Sequence, residues 1–219
     1  ASRPKFHNLK VSDIRRETAD CVSVAFDVPS ELSEEYRFSP GQYLTLDSEI
    51  NGENVRRSYS LCSSPFDGEL RVAIKQVEGG KFSSWANSDL TVGREMRVMS
   101  PDGNFSVKID TDKKHNYVAF AAGSGITPIY SILKSVLEEE PNSTFTLFYG
   151  NKTSKSVIFK EQIEALKNTY MERLEVHHVL SREDQGADLL KGRIDETKCE
   201  DFSKRFFDIN DVTGYFLCG

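Results

Sequence analysis

The chain has 219 residues, 38% hydrophobic and 28% charged, enough for one large domain or two of roughly 100 residues each. Its formal charge of −6 is evenly spread, since residues 1–110 hold 14 of the 28 Lys and Arg and 17 of the 34 Asp and Glu. That balance argues against nucleic-acid binding. No apolar run approaches the ~20 residues of a bilayer span, and the opening Ala1-Ser2-Arg3-Pro4-Lys5 has no basic-plus-apolar leader pattern. A cytoplasmic protein with no membrane contact is expected. The cysteines Cys21, Cys62, Cys199 and Cys218 form no CxxC pair, so free, mostly buried thiols are expected, with no bound metal, iron–sulfur cluster or disulfide framework in this chain.

The first half reads as strands. Residues 6–14 and 22–28 alternate, with Val22, Val24 and Phe26 on one face. Ser39-Pro40-Gly41-Gln42 signals a turn before a strand over 43–46, and Asn51-Gly52 signals a hairpin. The next stretch is Arg57-Ser58-Tyr59-Ser60. As a strand it sets Arg57 and Tyr59 on one face and Ser58 and Ser60 on the other. Arg57 is a planar charged fork suited to phosphate, and Tyr59 a flat ring suited to stacking. The alternative is an ordinary amphipathic strand. Further strands are predicted over 70–77, 96–99 and 105–109. Gly79-Gly80-Lys81-Phe82-Ser83-Ser84-Trp85-Ala86 interrupts them as a glycine turn opening a short helix. Its amides suit an anion, while Phe82 and Trp85 equally suit a hydrophobic plug. Six or more short strands of this kind predict a small antiparallel barrel.

Residues 110–116 are polar and lack periodicity, and the domain boundary is set there, giving domains 1–111 and 112–219. Beyond it strands over 117–122, 144–149, 174–180 and 215–218 alternate with helices over 128–137, 157–166 and 202–207. Glu138-Glu139-Glu140 reads as a solvated helix end. Such alternation predicts a parallel sheet covered by helices, with ligands at the carboxyl ends of its strands. Gly123-Ser124-Gly125-Ile126-Thr127-Pro128 joins the first of these strands to its helix. Gly123 and Gly125 would let phosphates approach the backbone, Thr127 is the expected N-cap, and Pro128 fits the first turn. A mere tight turn is the alternative. Tyr149-Gly150-Asn151-Lys152 and Ser181-Arg182 end the next two strands. Arg182 suits an extra phosphate or is a solvated loop charge, and Cys218 is a strand-end thiol or a buried core thiol.

In this order the motifs resemble the ferredoxin–NADP reductase superfamily over essentially the whole chain, most closely its bacterial oxygenase-reductase branch of the phenylacetyl-CoA epoxygenase reductase type. The resemblance implies an N-terminal six-stranded Greek-key β-barrel binding FAD and a C-terminal Rossmann-like α/β domain binding NADPH, with NADH less favoured. It implies that Arg57 holds the FAD pyrophosphate, that Tyr59 stacks on the isoalloxazine, and that Ser60, beside Ser58, lies near flavin N5. Gly80, Lys81, Phe82 and Ser83 match the FAD phosphate loop, and Lys75 and Val77 the strand lining its nucleotide half. Gly123, Gly125, Thr127 and Pro128 match the NADP pyrophosphate and nicotinamide loop, Ser181 and Arg182 the 2′-phosphate pair, and Cys218 the motif beside the nicotinamide. Lys152 departs from the arginine usual in this branch.

The resemblance also implies a reaction. A hydride would pass from NADPH to the flavin across the cleft between the domains, and single electrons would then go to an iron–sulfur acceptor serving an oxygenase of aromatic, phenylacetate-type degradation. Tyr59, Ser60 and Cys218 would border the reacting atoms. The branch's [2Fe–2S] domain would follow Gly219 and is not in this sequence. Two other readings are a flavin-binding relay or regulatory subunit that does not use free NADPH, and a two-domain binding protein without flavin.

Overall fold

Six strands, β1 (Phe6–Thr18), β2 (Cys21–Asp27), β3 (Tyr43–Ile50), β4 (Glu53–Ser60), β5 (Leu70–Lys75) and β6 (Glu95–Met99), form an antiparallel sheet in the computed structural model, which describes residues 5–219. Their order is β4-β3-β6-β1-β2-β5, so β6 returns to lie between β1 and β3 as a Greek key requires. The sheet curls into a half-barrel whose edges meet at one bridge, Leu61 to Val72. Alternating Val22, Val24 and Phe26, with Leu44, Leu46, Val72, Ile74 and Val98, supply the buried core. The hairpin between β3 and β4 turns at Asn51 (φ 52°) and Gly52 (φ 80°), the two left-handed residues a tight hairpin needs. Helix α1 (Lys81–Ser88) follows β5 and buries Phe82 and Ala86.

Two expected strands change. Residues 105–109 form no strand. The interior strand β3 pairs with β4 along its length and with β6 at Leu46 and Asp47, and at its start Tyr43 makes a single bridge to Asp102. The chain beyond that bridge is held against the Pro40–Gly41 turn, where Val107 N–H donates to the Pro40 carbonyl (3.2 Å). A Cβ on Gly41 (φ 100°) would lie 2.2 Å from the Phe105 carbonyl oxygen, so glycine is required at that turn. The strand expected to reach Val77 ends at Lys75, and Val77 sits exposed in the following turn.

One charged network fastens β5 to β1 and β2. Arg71 is buried on β5, its side chain only 4% exposed. Its Nη1 donates to Ser23 Oγ (2.9 Å), its Nε to Glu69 (2.9 Å), and its Nη2 to Asp13. Arg71→Ala is expected to cost about 2 kcal/mol in urea unfolding. That is less than the ~3–5 kcal/mol of a fully buried pair, because water still reaches Asp13 and Glu69. The hydrogen bond from Arg71 also holds the Asp13 carboxyl below its ordinary pKa. A folded pKa below the unfolded one adds stability above the unfolded value, lost as pH falls through the folded one. The acid limb of the stability profile should therefore flatten in Arg71→Ala.

Four parallel strands, β7 (Asn116–Ala122), β8 (Thr144–Asn151), β9 (Leu174–Leu180) and β10 (Gly214–Cys218), lie in the order β10-β7-β8-β9. Helices α2 (Ile126–Glu139), α3 (Lys160–Thr169) and α4 (Glu196–Arg205) alternate with them. Phe202 of α4 covers one face through Phe120, Phe148 and Val179. On the opposite face the Tyr149 hydroxyl donates to the Ile158 carbonyl (3.1 Å) and accepts from the Ile158 amide (3.0 Å). Those two bonds hold residues 157–159 outside the helix predicted to start at Val157, and α3 starts only after Phe159, in the left-handed region at φ 61°. The helix predicted over 202–207 starts six residues earlier, capped by the Asp195 carboxylate accepting from Lys198 N–H (2.9 Å). Thr127 is not the cap of α2, which is Gly125; it lies in the first turn and donates to the Ser124 carbonyl (2.9 Å). Glu140 is fully buried rather than solvated, accepting from Asp110 N–H (3.0 Å) and Ser143 Oγ (2.8 Å).

The chain divides into two compact units. One runs to Lys108 and takes in Tyr130–Ile132, and the other comprises Ile109–Ile129 and Leu133–Gly219. No helix among the described residues is long and apolar enough to cross a membrane.

Candidate functional site

On β4 the residues divide by face. Tyr59 is half-buried, packs toward the core and meets the Phe82 ring at 5.7 Å. Burial pushes its phenol up to about 12, so it stays neutral at physiological pH. Ser58 shares a 2.8 Å hydroxyl bond with Thr45 opposite it on β3, which fixes the register there. Ser60, half-buried at the strand end, pairs with Tyr43. The two neighbouring arginines differ. Arg56 donates to the buried Asp47 (2.8 Å from Nη2) and lies over the Phe6 ring at 4.6 Å. Arg57 is exposed, its Nη1 donates to the Arg56 carbonyl (2.7 Å), and among the described residues no carboxylate pairs with it.

The start of α1 is an open donor array. Its first helical bond runs from Ser84 N–H to the Gly80 carbonyl (3.0 Å), so the amides of Lys81, Phe82 and Ser83 lie ahead of it. A Cβ on Gly80 would fall 2.5 Å from Ser83 Oγ and 2.6 Å from a Val77 methyl, which leaves no space for a side chain. The turn is closed by Val77, whose N–H donates to Ser83 Oγ (3.1 Å) and whose carbonyl accepts from Gly80 N–H (3.0 Å). Ser83 thus shapes the loop with its buried side chain. Lys81 is ion-paired with Glu53 at the start of β4. A groove of about 460 Å³ runs beside this turn, lined by Ile50, Glu53, Gly80, Lys81, Ser84 and Trp85 among others. Lys75 is at the end of β5, paired with Cys21.

In the second unit the strand order reverses between β7 and β10, because β8 and β9 follow on one side of β7 while β10 lies on the other. A crevice at such a switch point is where open α/β sheets bind ligands. The Gly123–Gly125 turn sits at that point. Gly123 takes φ 55°, and a Cβ on Gly125 would fall 2.2 Å from the Cys218 carbonyl oxygen. The structure therefore brings Gly123, Gly125, Thr127, Pro128 and Cys218 to one end of β7 and β10. Burial pushes the Cys218 thiol up, which favours its protonated form. At the neighbouring strand ends Arg182 N–H donates to the Lys152 carbonyl and Ser181 N–H to the Asn151 carbonyl, each at 2.9 Å. Two cationic residues thus stand on adjacent chain segments at the carboxyl ends of β8 and β9.

The comparisons agree with this division. Residues 8–107 match the family model of the oxidoreductase FAD-binding domain, and residues 120–219 that of the oxidoreductase NAD-binding domain. The chain is 42% identical over 214 residues to one subunit of the 1,2-phenylacetyl-CoA epoxidase of Escherichia coli, covering 98% of this chain and 60% of that protein. The chain belongs to the ferredoxin–NADP reductase superfamily. It carries the FAD-binding and NAD-binding domains of oxidoreductases and is related to the reductase components of oxygenases. A second relative, the ferredoxin reductase component of 3-ketosteroid-9-alpha-monooxygenase from Rhodococcus rhodochrous, is 42% identical over 78% of this chain and 48% of its own length. The chain thus spans between about half and three-fifths of these relatives. The superfamily fold also appears in the cytochrome b5 reductase domain of Ulva prolifera nitrate reductase (TM-score 0.79, 20% identity, 98% of this chain and 87% of that one). A Neisseria gonorrhoeae ferredoxin NADP+ reductase with bound FAD and NADP matches at TM-score 0.76 and 18% identity, over 97% and 85% of the two chains.

Both cofactors fit the residues present. For FAD these are the ring of Tyr59, the exposed guanidinium of Arg57, which has no carboxylate partner among the described residues, and the open amides at the start of α1. For the nicotinamide dinucleotide they are the half-exposed left-handed turn at Gly123, the close packing of Gly125 on the end of β10 that shapes it, and an unpartnered buried amide on Asn151. The pairing of Lys81 with Glu53 and the state of Asn151 were not foreseen, because each depends on residues far apart in the chain or on burial.

Proposed function

We propose that this chain is the reductase module of a multicomponent oxygenase, using NADPH in preference to NADH and working in the cytoplasm. FAD, when bound, would supply the chemistry, namely acceptance of a hydride from the nicotinamide and release of single electrons toward an iron–sulfur acceptor. The protein's part is binding, orientation and electrostatics. Arg57 holds the FAD pyrophosphate with its exposed guanidinium, which has no carboxylate partner among the described residues. The amides of Lys81, Phe82 and Ser83 assist it, while Gly80 leaves room for the phosphate to approach them. Tyr59, kept neutral and backed by Phe82, presents its ring to the isoalloxazine, and the Ser60 hydroxyl serves the flavin edge near N5. Lys75 and Val77 border the nucleotide half. Gly123, Gly125, Thr127 and Pro128 hold the dinucleotide's pyrophosphate and nicotinamide ribose. Cys218, its protonated form favoured by burial, borders the nicotinamide. Ser181 and Arg182 hold the 2′-phosphate.

The observation that carries the preference for NADPH is the bond from Arg182 N–H to the Lys152 carbonyl (2.9 Å), which sets two cations at neighbouring strand ends. A dianionic phosphate between them is favoured over a bare hydroxyl. The oxygenase partner and its phenylacetate-type substrate rest on the likeness to the Escherichia coli protein named above. The test is anaerobic bleaching of the FAD-loaded protein. NADPH is expected to reduce the flavin within seconds and at least tenfold more efficiently than NADH. No bleaching over minutes with either would replace the reductase by a relay protein that takes electrons from another protein.

A further inference from the structure

The carboxyl end of β8 carries a buried group for which the reading above assigns no atom of the dinucleotide. Asn151, the last residue of the strand, is 9% exposed, and its side-chain nitrogen has no hydrogen-bond partner. A buried amide without an acceptor is costly, and native proteins keep few of them. Its main chain is fixed, paired in register with Leu180 and accepting from Ser181 N–H (2.9 Å).

Register locates this amide among the neighbouring strand ends. Ala122 of β7 pairs with Gly150 of β8, so Asn151 is level with Gly123, the first residue of the glycine turn. On the other side it is level with the step from Leu180 to Ser181. Asn151 therefore stands between the glycine turn and the Ser181–Arg182 pair. A dinucleotide with its pyrophosphate on the turn and its adenosine end at Ser181–Arg182 passes this amide.

We propose that Asn151 is a further binding residue for the nicotinamide dinucleotide, its side-chain N–H donating to an oxygen of the adenosine ribose or of the phosphate next to it. The inference rests on the dinucleotide reading of this unit and adds a contact to it. A donor at this point reads the part shared by NADH and NADPH. It accordingly raises affinity for both, while discrimination stays with Lys152 and Arg182.

The test compares the full chain with Asn151→Leu and Asn151→Ala, measuring ADP-ribose binding by calorimetry and thermal unfolding without ligand. Asn151→Leu replaces the unpartnered amide by an apolar group of similar size. It is expected to leave the unfolding temperature unchanged or raise it, while ADP-ribose binding weakens about tenfold. Asn151→Ala should weaken binding equally, and the ratio of KM for NADH to KM for NADPH should stay as in the parent. Parental ADP-ribose affinity in both variants overturns the proposal, as does a fall in unfolding temperature with binding unchanged, which would mark a structural amide. If the parent chain itself binds no ADP-ribose, the dinucleotide reading of the unit fails with it.

Discussion

Arg57→Ala is expected to purify folded but colourless. The exposed fork of Arg57 has no carboxylate partner among the described residues, so its loss removes a ligand handle and little internal structure. Hydrogen bonds to charged groups contribute about 1.5–3 kcal/mol each, and a pyrophosphate takes a guanidinium with two. Allowing for screening at the surface, a total near 3 kcal/mol corresponds to roughly a hundredfold weaker FAD binding. The ratio of flavin to protein absorbance after gel filtration reads the loss directly, and quenching of added FAD gives the dissociation constant. The neighbouring residue is the control. Arg56 is locked to the buried Asp47 and over Phe6, so Arg56→Ala should lower the urea midpoint and keep the flavin. Stoichiometric yellow flavin in Arg57→Ala would remove Arg57 from the phosphate site.

Contrast between these two arginines shows where the sequence stops being informative. Alternation sets Arg56 and Arg57 on opposite faces of a strand, but which face has an acid waiting depends on Asp47, which register alone brings opposite Arg56. The hairpin at Asn51-Gly52 and the turn at Gly123–Gly125 were legible because left-handed backbone and close approach demand glycine or asparagine locally. Residues 105–109 alternate as well as any strand, yet form none: the chain there is held on the Pro40–Gly41 turn by the bond from Val107 N–H to the Pro40 carbonyl, a contact between segments far apart in the chain. The early start of α4 was hidden for another reason. Its first turns are Glu, Lys and Asp around Cys199, and only Phe202 shows an apolar stripe, so helix and loop look alike until Asp195 is seen to cap it. The Lys81–Glu53 pair spans 28 residues and has no local signature.

Gly125→Ala is expected to separate the two halves of the reaction. The added methyl would lie 2.2 Å from the Cys218 carbonyl oxygen and 2.5 Å from its carbon, both main-chain atoms of a strand held in register with β7. Neither can swing aside as a side-chain end could, so the glycine turn or the end of β10 must move. Overpacking of this kind costs about 1–3 kcal/mol, which a folded unit tolerates. Binding geometry tolerates less, since a displacement of about 1 Å at a positioning element lowers rates by roughly a hundredfold. The variant should keep its flavin, because the turn belongs to the NAD-binding domain and the FAD residues lie in the other unit. Stopped-flow reduction by NADPH should then fall about a hundredfold in kcat/KM, whereas reduction of the same flavin by dithionite, which needs no nucleotide site, should be unchanged. Equal losses with both reductants would mean the substitution disturbs the flavin or the fold, and normal NADPH kinetics would mean the turn does not hold the dinucleotide.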